Sequence, residues 1–560
     1  MRLRLASLLI LLSLLATAAE IAEGLEERIA ENGTLPVWVF FRDKGEISES
    51  RFEEARGLLS EAAFVRRAKV RSELLTERDL PLDEAMLQGI RDKGITIRAE
   101  SRWLNAVSVL ADKEALRELS ALDYVRFLRP VAGSSRRELN MMPAPPSSRS
   151  GLEDPIDYGN TVQELQQINV PPVHQLGIHG EGVIVGMLDT GFNTNHEALA
   201  DLDVLGTWDF INDDPVVSNE DGDPDSQENH GTMTLSSLAG YMPGTHVGVA
   251  FGASFYLAKT EDVSQEIPLE EDHWVEGIEW LEAQGCQVVS SSLGYYDWYV
   301  FDDMDGNTAV TTIAADYAVS LGVVVVNSAG NSRNGFGHII APADGDSVIA
   351  VAAVDENGEF ASFSSPGPSA DGRIKPDVSA RGVANHVAYP GTWDEYTLVS
   401  GTSLSCPLSA GVAALLLSAH PDATPMEIRD AMRETADRAD NPDNDYGWGI
   451  LDAEAALEYL TFTASPASTP RWTLHAWPNP FNPKVRIEFS LEEATFARLE
   501  IHDLKGRLLD LLLDESLAAG THSLLWHGKD REGRELPSGI YFARLVSGQD
   551  QQVRKMLLLK

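Results

Sequence analysis

The stretch from Leu408 to His420 reads L-S-A-G-V-A-A-L-L-L-S-A-H, and no acidic, lysine or arginine side chain interrupts it. A helix of such composition has no face to offer water and must be buried on all sides. Directly before it stands Ser400-Gly401-Thr402-Ser403-Leu404-Ser405-Cys406-Pro407. Gly401 allows a sharp turn into the helix. Ser403 then falls in the first turn, where unpaired N–H groups and the helix dipole favour negative charge. A hydroxyl held there suits the nucleophile of an acyl-transfer reaction. In isolation G-T-S reads more simply as a helix N-cap, and two other segments decide the matter.

The first is Gly182 to Leu188, G-V-I-V-G-M-L, a short apolar run of the kind that forms a strand buried in a parallel sheet. It ends in Asp189-Thr190-Gly191, which places a carboxylate at the carboxyl edge of the strand, where open α/β sheets build their sites. The second is Asn229-His230-Gly231-Thr232, followed by the small residues M-T-L-S-S-L-A-G of another packed helix. A lone histidine is more often structural, and Asp-Thr-Gly is an ordinary strand exit. Asp-Thr-Gly also marks aspartic proteases, but these require a second such carboxylate, and the chain has no other Asp-Thr-Gly or Asp-Ser-Gly. Asp189, His230 and Ser403 instead follow one of the chain orders in which an Asp-His-Ser triad is built.

Further segments stand around these three: G-V-A-F-G-A at 248–253, S-S-S-L-G at 290–294, N-S-A-G-N at 327–331 and G-W-G-I-L-D-A at 447–453. Together with V-I-V-G-M-L-D-T-G, N-H-G-T and G-T-S-L-S-C-P, they resemble the subtilisin-like serine proteases over about Tyr158 to Tyr459. The resemblance implies an α/β catalytic domain with a parallel sheet, which needs no cofactor for catalysis and acts on protein or peptide substrates. Ser403 would attack the peptide carbonyl, His230 would take and return the proton, and Asp189 would orient the imidazole. Asn331, after the apolar run Val323-Val324-Val325-Val326, resembles the oxyanion asparagine of the family; in isolation it reads as a turn residue after Gly330. Ser292-Leu293-Gly294 resembles the edge that pairs with substrate backbone. The chain departs from the pattern at Leu408, where many relatives carry histidine; a steric adjustment in the helix is expected there. A catalytically inactive scaffold or adhesin on the same fold is the alternative, and a missing triad residue would mark it; none is missing.

The first residues, with Arg2 and Arg4 ahead of A-S-L-L-I-L-L-S-L-L, read as a signal peptide over 1–19. Its apolar core is too short for a membrane span, and no other run approaches that length. Residues 20–140 are charged and mixed, and they end in a strand–helix–strand pattern: Asn105 to Leu110, then A-D-K-E-A-L-R-E-L-S-A-L, then Tyr124 to Leu128. This resembles the inhibitory α+β propeptide of subtilisin-like proteases, which makes the propeptide a partner of the catalytic domain; an independent α+β binding module is the other reading. The Pro/Ser-rich stretch within 141–157 reads as a linker and processing region. The two cysteines, Cys286 and Cys406, make no disulfide framework, and packing is the expected role of Cys406.

Charge is unevenly spread. Residues 151–460 hold 51 Asp and Glu against 8 Lys and Arg, so the whole net charge of −42 lies there and the remainder is close to neutral. Such a region repels nucleic acid and anionic membranes and tolerates cations. Asp213, Asp214, Asp221, Asp223 and Asp225, in the stretch before His230, are candidate ligands for a structural calcium ion. A plain solvated acidic loop fits the same pattern.

After a linker at 461–473 the pattern changes to period two, as in V-R-I-E-F-S and A-R-L-E-I-H-D, with turns between. Residues 474–560 therefore read as a small all-β, immunoglobulin-like sandwich. They resemble the C-terminal sorting domain of type IX secretion cargo, which implies a Gram-negative bacterium, its secretion machinery as a partner, and a secreted or cell-surface location. A stability or carbohydrate-binding module is the other reading.

Overall fold

The apolar run before Asp189 forms the strand Ile184–Asp189 inside a seven-stranded sheet, in a computed structural model that describes residues 19–132, 141–143, 156–264, 270–463, 474–477, 481–491, 495–503, 507–547, 550–558 and 560. The sheet order is Val378–Arg381, Ile349–Val354, Val324–Ser328, Val288–Ser291, Ile184–Asp189, Ser254–Lys259, Asp203–Asp209, and every pairing is parallel. Parallel strands covered on both faces read as continuous apolar runs, as these do. Alternation sorts their side chains. A Cβ on Gly186 would meet Leu281, and one on Gly277 would meet Leu188, so this face packs on the helix Glu271–Gln284. Asp189, one residue on, turns to the opposite face, against the helix Asn229–Ala239.

The chargeless run forms the helix Thr402–Ala419, buried from Thr402 to Leu417. It is the one helix among the described residues long and apolar enough to cross a membrane, and it lies inside the domain core.

The N-terminal region is α+β. Its five strands lie in the order Glu20–Ile21, Val125–Pro130, Leu35–Phe41, Ala106–Ala111, Ile97–Ser101, antiparallel except for the first pair. The strand Leu35–Phe41 is apolar on both faces because both are covered. Val37, Val39 and Phe41 join Leu25, Ile29, Leu87, Ile90, Leu116 and Leu119 from three helices of the same region. Trp38 and Phe40 face the other way and join the core that holds Trp274, Ile278 and Ala315. The predicted signal segment, apart from Ala19, lies outside the described residues, as does most of each predicted linker.

Contacts divide the chain into two compact units, one reaching Glu454 and the other holding Ala455–Lys560. The second unit is a sandwich. A three-stranded sheet, Leu474–Trp477, Val485–Leu491 and Gly520–Trp526, shares a core with a four-stranded sheet of Leu508–Leu517, Thr495–Asp503, Gly539–Ser547 and Asp550–Leu558. Val485, Ile487 and Phe489 on one sheet and Leu499, Ile501, Ala543 and Leu545 on the other carry the expected alternation into that core.

Candidate active site

Asp189 ends its strand fully buried, and its carboxylate is completely engaged. Oδ1 accepts from Thr190 N–H at 2.7 Å and from His230 Nδ1–H at 2.6 Å, while Oδ2 accepts from Thr234 Oγ1 at 3.0 Å. With Nδ1 donating to a carboxylate, the neutral imidazole keeps its lone pair on Nε2, the form a general base needs. Gly231 makes the approach possible. A Cβ there would collide with the Gly191 carbonyl and come within 3.0 Å of Asp189 Cβ.

Ser403 is the second residue of its helix and 5% exposed. Its Oγ donates to the Ser292 carbonyl at 3.5 Å and forms no hydrogen bond with His230. Catalytic hydrogen bonds of this kind are often long or unmade before substrate arrives. Four residues on, Pro407 lacks the N–H that would bond the Ser403 carbonyl. Ser292 Oγ donates to that carbonyl instead, at 2.9 Å. The proline thus ties the helix start to the predicted substrate edge.

Asn331 follows the strand Val324–Ser328. Its Oδ1 accepts from Thr402 N–H at 2.9 Å and Thr402 Oγ1 at 3.0 Å. The amide is thereby fixed with Nδ2, its donor end, left without an acceptor among the described residues. Together with the unpaired N–H of Ser403, it offers two donors beside the hydroxyl, the arrangement that stabilises an oxyanion. Ser292, Leu293 and Gly294 run on from the strand Val288–Ser291, and the Leu293 carbonyl is held by Asn327 Nδ2 at 3.0 Å.

All of these predicted residues lie at the carboxyl edge of the sheet or the start of a helix beside it. Sequence reasoning missed Thr234, Thr402, Pro407 and Gln227. Gln227 is buried, donates to the Thr190 and Glu261 carbonyls at 2.5 and 2.6 Å, and accepts from Val263 N–H. Thr234 had a usable signal: it stands four residues after His230, on the same helical face. Leu408 is buried in the helix. Both cysteines are free and buried; Cys406 donates to the Ser291 and Val326 carbonyls, and burial pushes its thiol up to about 12. It is no rival nucleophile.

The calcium expectation fares differently. Of the five carboxylates named for it, only Asp214 lies in a convergent group, with Asp209 and Glu220. Asp213, Asp221 and Asp225 are exposed and lie outside that group. Asp223 pairs with Lys259, whose ammonium is fully buried between Asp209 at 2.8 Å and Asp223 at 2.9 Å. A lysine thus pairs Asp209 and Asp223, while Asp209, Asp214 and Glu220 form a group that could hold a metal ion.

A second acidic array carries no signal in the sequence. The helix Glu271–Gln284 turns five carboxylates toward the N-terminal region, and each finds a partner there. Glu271 accepts from Trp38 Nε1, Asp272 from Ser108 Oγ and Arg98, and Glu276 from Glu100 N–H. Glu279 accepts from Ser101 Oγ and Trp103 N–H, and Glu282 from Arg66 and Arg67. Burial pushes Glu276 up to about 8 and Glu271 to about 7. Burial acts on Glu282 too, but the two guanidiniums hold it below the usual carboxylate range.

Residues 180–449 match the subtilase family, 36–143 the peptidase S8 propeptide domain of Bacteroidota, and 475–559 the secretion system C-terminal sorting domain. Subtilisin E of Bacillus subtilis is 31% identical over 376 residues, covering 66% of this chain and 85% of its own. Subtilisin DY of Bacillus licheniformis is 35% identical over 297 residues, 52% of this chain and 96% of its own. Among solved structures, fervidolysin from Fervidobacterium pennivorans, a keratinolytic enzyme related to subtilisin, superposes with a TM-score of 0.55 at 18% identity, covering 96% of this chain and 92% of its own. The chain belongs to the subtilase family of serine endopeptidases, with a propeptide before its catalytic region and a sorting domain after it.

Proposed function

We propose that this chain is a self-processing, exported endopeptidase that cleaves peptide bonds through an acyl-enzyme. Ser403 attacks the carbonyl while His230 Nε2 takes its proton and later gives it to the leaving amine. Asp189 holds the imidazole and balances its positive charge. Asn331 Nδ2 and the Ser403 N–H receive the oxyanion, and water then releases the acyl group from Ser403. The observations that support this reading are the engaged Asp189–His230 pair and the Thr402-oriented amide of Asn331 at the start of the helix that carries Ser403.

The proposed precursor is a signal peptide at 1–19, a propeptide at 20–140, a processing region at 141–157, the protease at 158–460, a linker at 461–473 and a sorting domain at 474–560. Self-processing is supported by the strand Met142–Pro143. It pairs with Tyr396–Val399, and Met142 lies opposite Leu398, close in sequence to Ser403. The sorting domain supports export by the type IX route to the surface or the medium.

The test is Ser403→Ala. The purified variant should hydrolyse no peptide and remain a full-length precursor after signal removal, with a loss in turnover of about 10⁶-fold. Normal maturation of the variant with no other protease present would remove Ser403 from its role.

A further inference from the structure

Asp189 and His230 meet because the exit of one strand lies against the start of one helix, and more than their own hydrogen bond joins the two. His230 is the second residue of the helix Asn229–Ala239, and Asp189 ends the strand Ile184–Asp189. Thr234 reaches the Asp189 carboxylate from the helix. A further tie reaches the backbone on which that carboxylate stands, and it comes from Gln227, three residues before His230.

Gln227 is 1% exposed, and its amide makes three bonds. Nε2 donates to the Thr190 carbonyl at 2.5 Å and to the Glu261 carbonyl at 2.6 Å, while Oε1 accepts from Val263 N–H at 2.9 Å. A carbonyl can only accept and an N–H can only donate, so these partners leave the amide one orientation. Thr190 follows Asp189 directly. Glu261 and Val263 follow the strand Ser254–Lys259, whose Lys259 lies opposite Asp189 in the parallel ladder. Thr260 N–H still donates to the Asp189 carbonyl at 2.9 Å. One residue further along each chain, the Thr190 and Glu261 carbonyls both turn to Gln227, so its amide takes the place of the ladder there.

The backbone around Gln227 is bonded on to the helix. Its own N–H donates to the Pro224 carbonyl at 2.9 Å, and Asn229 N–H donates to the Ser226 carbonyl at 3.1 Å. Glu228 N–H donates to Asn219 Oδ1 at 2.9 Å, and the Glu228 carbonyl accepts from Thr232 N–H at 3.1 Å. The turn ahead of His230 is thus tied at one end to the two strand exits and at the other to the first turn of the helix.

We propose that Gln227 is a positioning residue of the triad: its amide sets how the His230 helix sits on the exit of the Asp189 strand, and so where His230 Nε2 points. This rests on the triad reading above and adds to it the part that aims the base. Gln227 bonds to backbone groups and acts through the two elements that carry the pair. A displacement of about 1 Å at a catalytic group costs on the order of a hundredfold in rate. Losing the amide should therefore lower kcat and leave KM nearly as it was.

The test compares the matured full-chain enzyme with its Gln227→Met variant, which keeps the length of the side chain and removes its three bonds. kcat should fall about ten- to a hundredfold with KM within about threefold, and the low-field proton resonance of His230 Nδ1–H should shift or broaden. In an Asp189→Asn background, matured by immobilised wild-type enzyme that is then removed, the same substitution should cost less than about threefold, because residues that act as a unit are not additive. Gln227→Asn, which carries the amide on an arm one methylene shorter, should show an intermediate loss, and it decides the matter if the methionine variant does not fold. A variant that melts at lower temperature yet keeps the wild-type kcat and the wild-type His230 resonance overturns the proposal, since Gln227 then serves the fold alone. So does a loss of kcat as large in the Asp189→Asn background as in the wild type. Wild-type enzyme that neither reacts with a fluorophosphonate nor cleaves any peptide overturns the triad reading, and the positioning role with it.

Discussion

The loop from Asp209 to Asp225 and the helix Glu271–Gln284 are both dense in carboxylates, yet they are neutralised in opposite ways. In the loop the compensation is internal. Lys259 ends a neighbouring strand and bridges Asp209 and Asp223, while Asn212 Nδ2 donates to Asp209 and Glu220. In the helix it comes from residues of the N-terminal region, with Arg66, Arg67, Arg98, Ser101, Ser108 and Trp38 supplying the donors. The loop therefore keeps its partners for the life of the enzyme. If the propeptide is removed as proposed, the helix loses them, and its carboxylates are then hydrated. A buried carboxylate is tolerable only while its partner is present, so the helix depends on the N-terminal region for its partners and the loop does not.

The largest effect that could break this contrast lies at Glu282. Arg66→Ala with Arg67→Ala leaves a carboxylate of 0% exposure with only Arg102, at 3.9 Å, as a cation, which should cost about 3 kcal/mol. In a Ser403→Ala background, where the propeptide stays attached, urea unfolding should shift to markedly lower concentration, and adding Glu282→Leu should restore most of the loss. A double-alanine precursor as stable as its parent would show that the arginine clamp is ornamental.

Lys259→Met should cost about 3 kcal/mol by stranding Asp209 and Asp223. Here the precursor and the matured enzyme should suffer alike, because both partners lie within the catalytic region. Melting both forms of the variant checks this. Loss confined to the precursor would erase the distinction between the loop and the helix.

A smaller effect is the pH dependence of propeptide docking. Burial raises Glu276 to about 8 and Glu271 to about 7 in the docked form, and exposure to water should lower both. A docked value above the free one means that docking retains protons. That contribution is full below the ordinary glutamate range and is lost as pH rises through about 7 to 8. Asp272 and Glu282, buried but held low by their cationic and hydroxyl neighbours, act in the opposite sense and weaken docking as pH falls through the usual carboxylate range. Inhibition by the cleaved propeptide should therefore peak in mildly acidic solution and weaken about tenfold by pH 8.5. Glu276→Gln should flatten the alkaline limb. An inhibition constant that does not change between pH 6 and 8.5 would contradict the argument.

The smallest effect expected is from removing residues 471–560. The candidate site is built from residues of the first unit, so the truncated enzyme should cleave peptides within about twofold of the full chain, well inside the tenfold that 1.4 kcal/mol represents. In a host with the type IX system the truncated form should stay in the periplasm. Normal amounts of it in the medium would sink the sorting role of the tail.

Much of the site is legible in the amino-acid sequence, because each part carries its own local signal. An apolar run ending in Asp189 can only be a buried strand with a carboxylate at its edge, and a chargeless run behind Gly401-Thr402-Ser403 can only be a core helix. The pairing of Asp223 with Lys259 shows the limit of such reading. Clustered aspartates look alike in sequence whether they face a metal, water or a lysine, and Lys259 is 36 residues from Asp223. The Ser292–Ser403 bond is hidden for a similar reason: Pro407 announces a freed carbonyl, but nothing local says which side chain will fill the place.

Periodicity pointed to buried parallel strands, a strand–helix–strand pattern ahead of them and an alternating C-terminal sandwich, since burial demands a particular spacing of apolar residues in each kind of element. The order of the motifs, with the family resemblance they carry, named which residues could be nucleophile, base and carboxylate. Only tertiary structure decided that Thr402 turns the amide of Asn331, that Arg66 and Arg67 close on Glu282 from more than 200 residues away, and that Gln227 joins the Thr190 and Glu261 carbonyls. These are contacts between segments far apart in the chain. Which side chain meets which depends on how packed elements cross, and no local pattern records that.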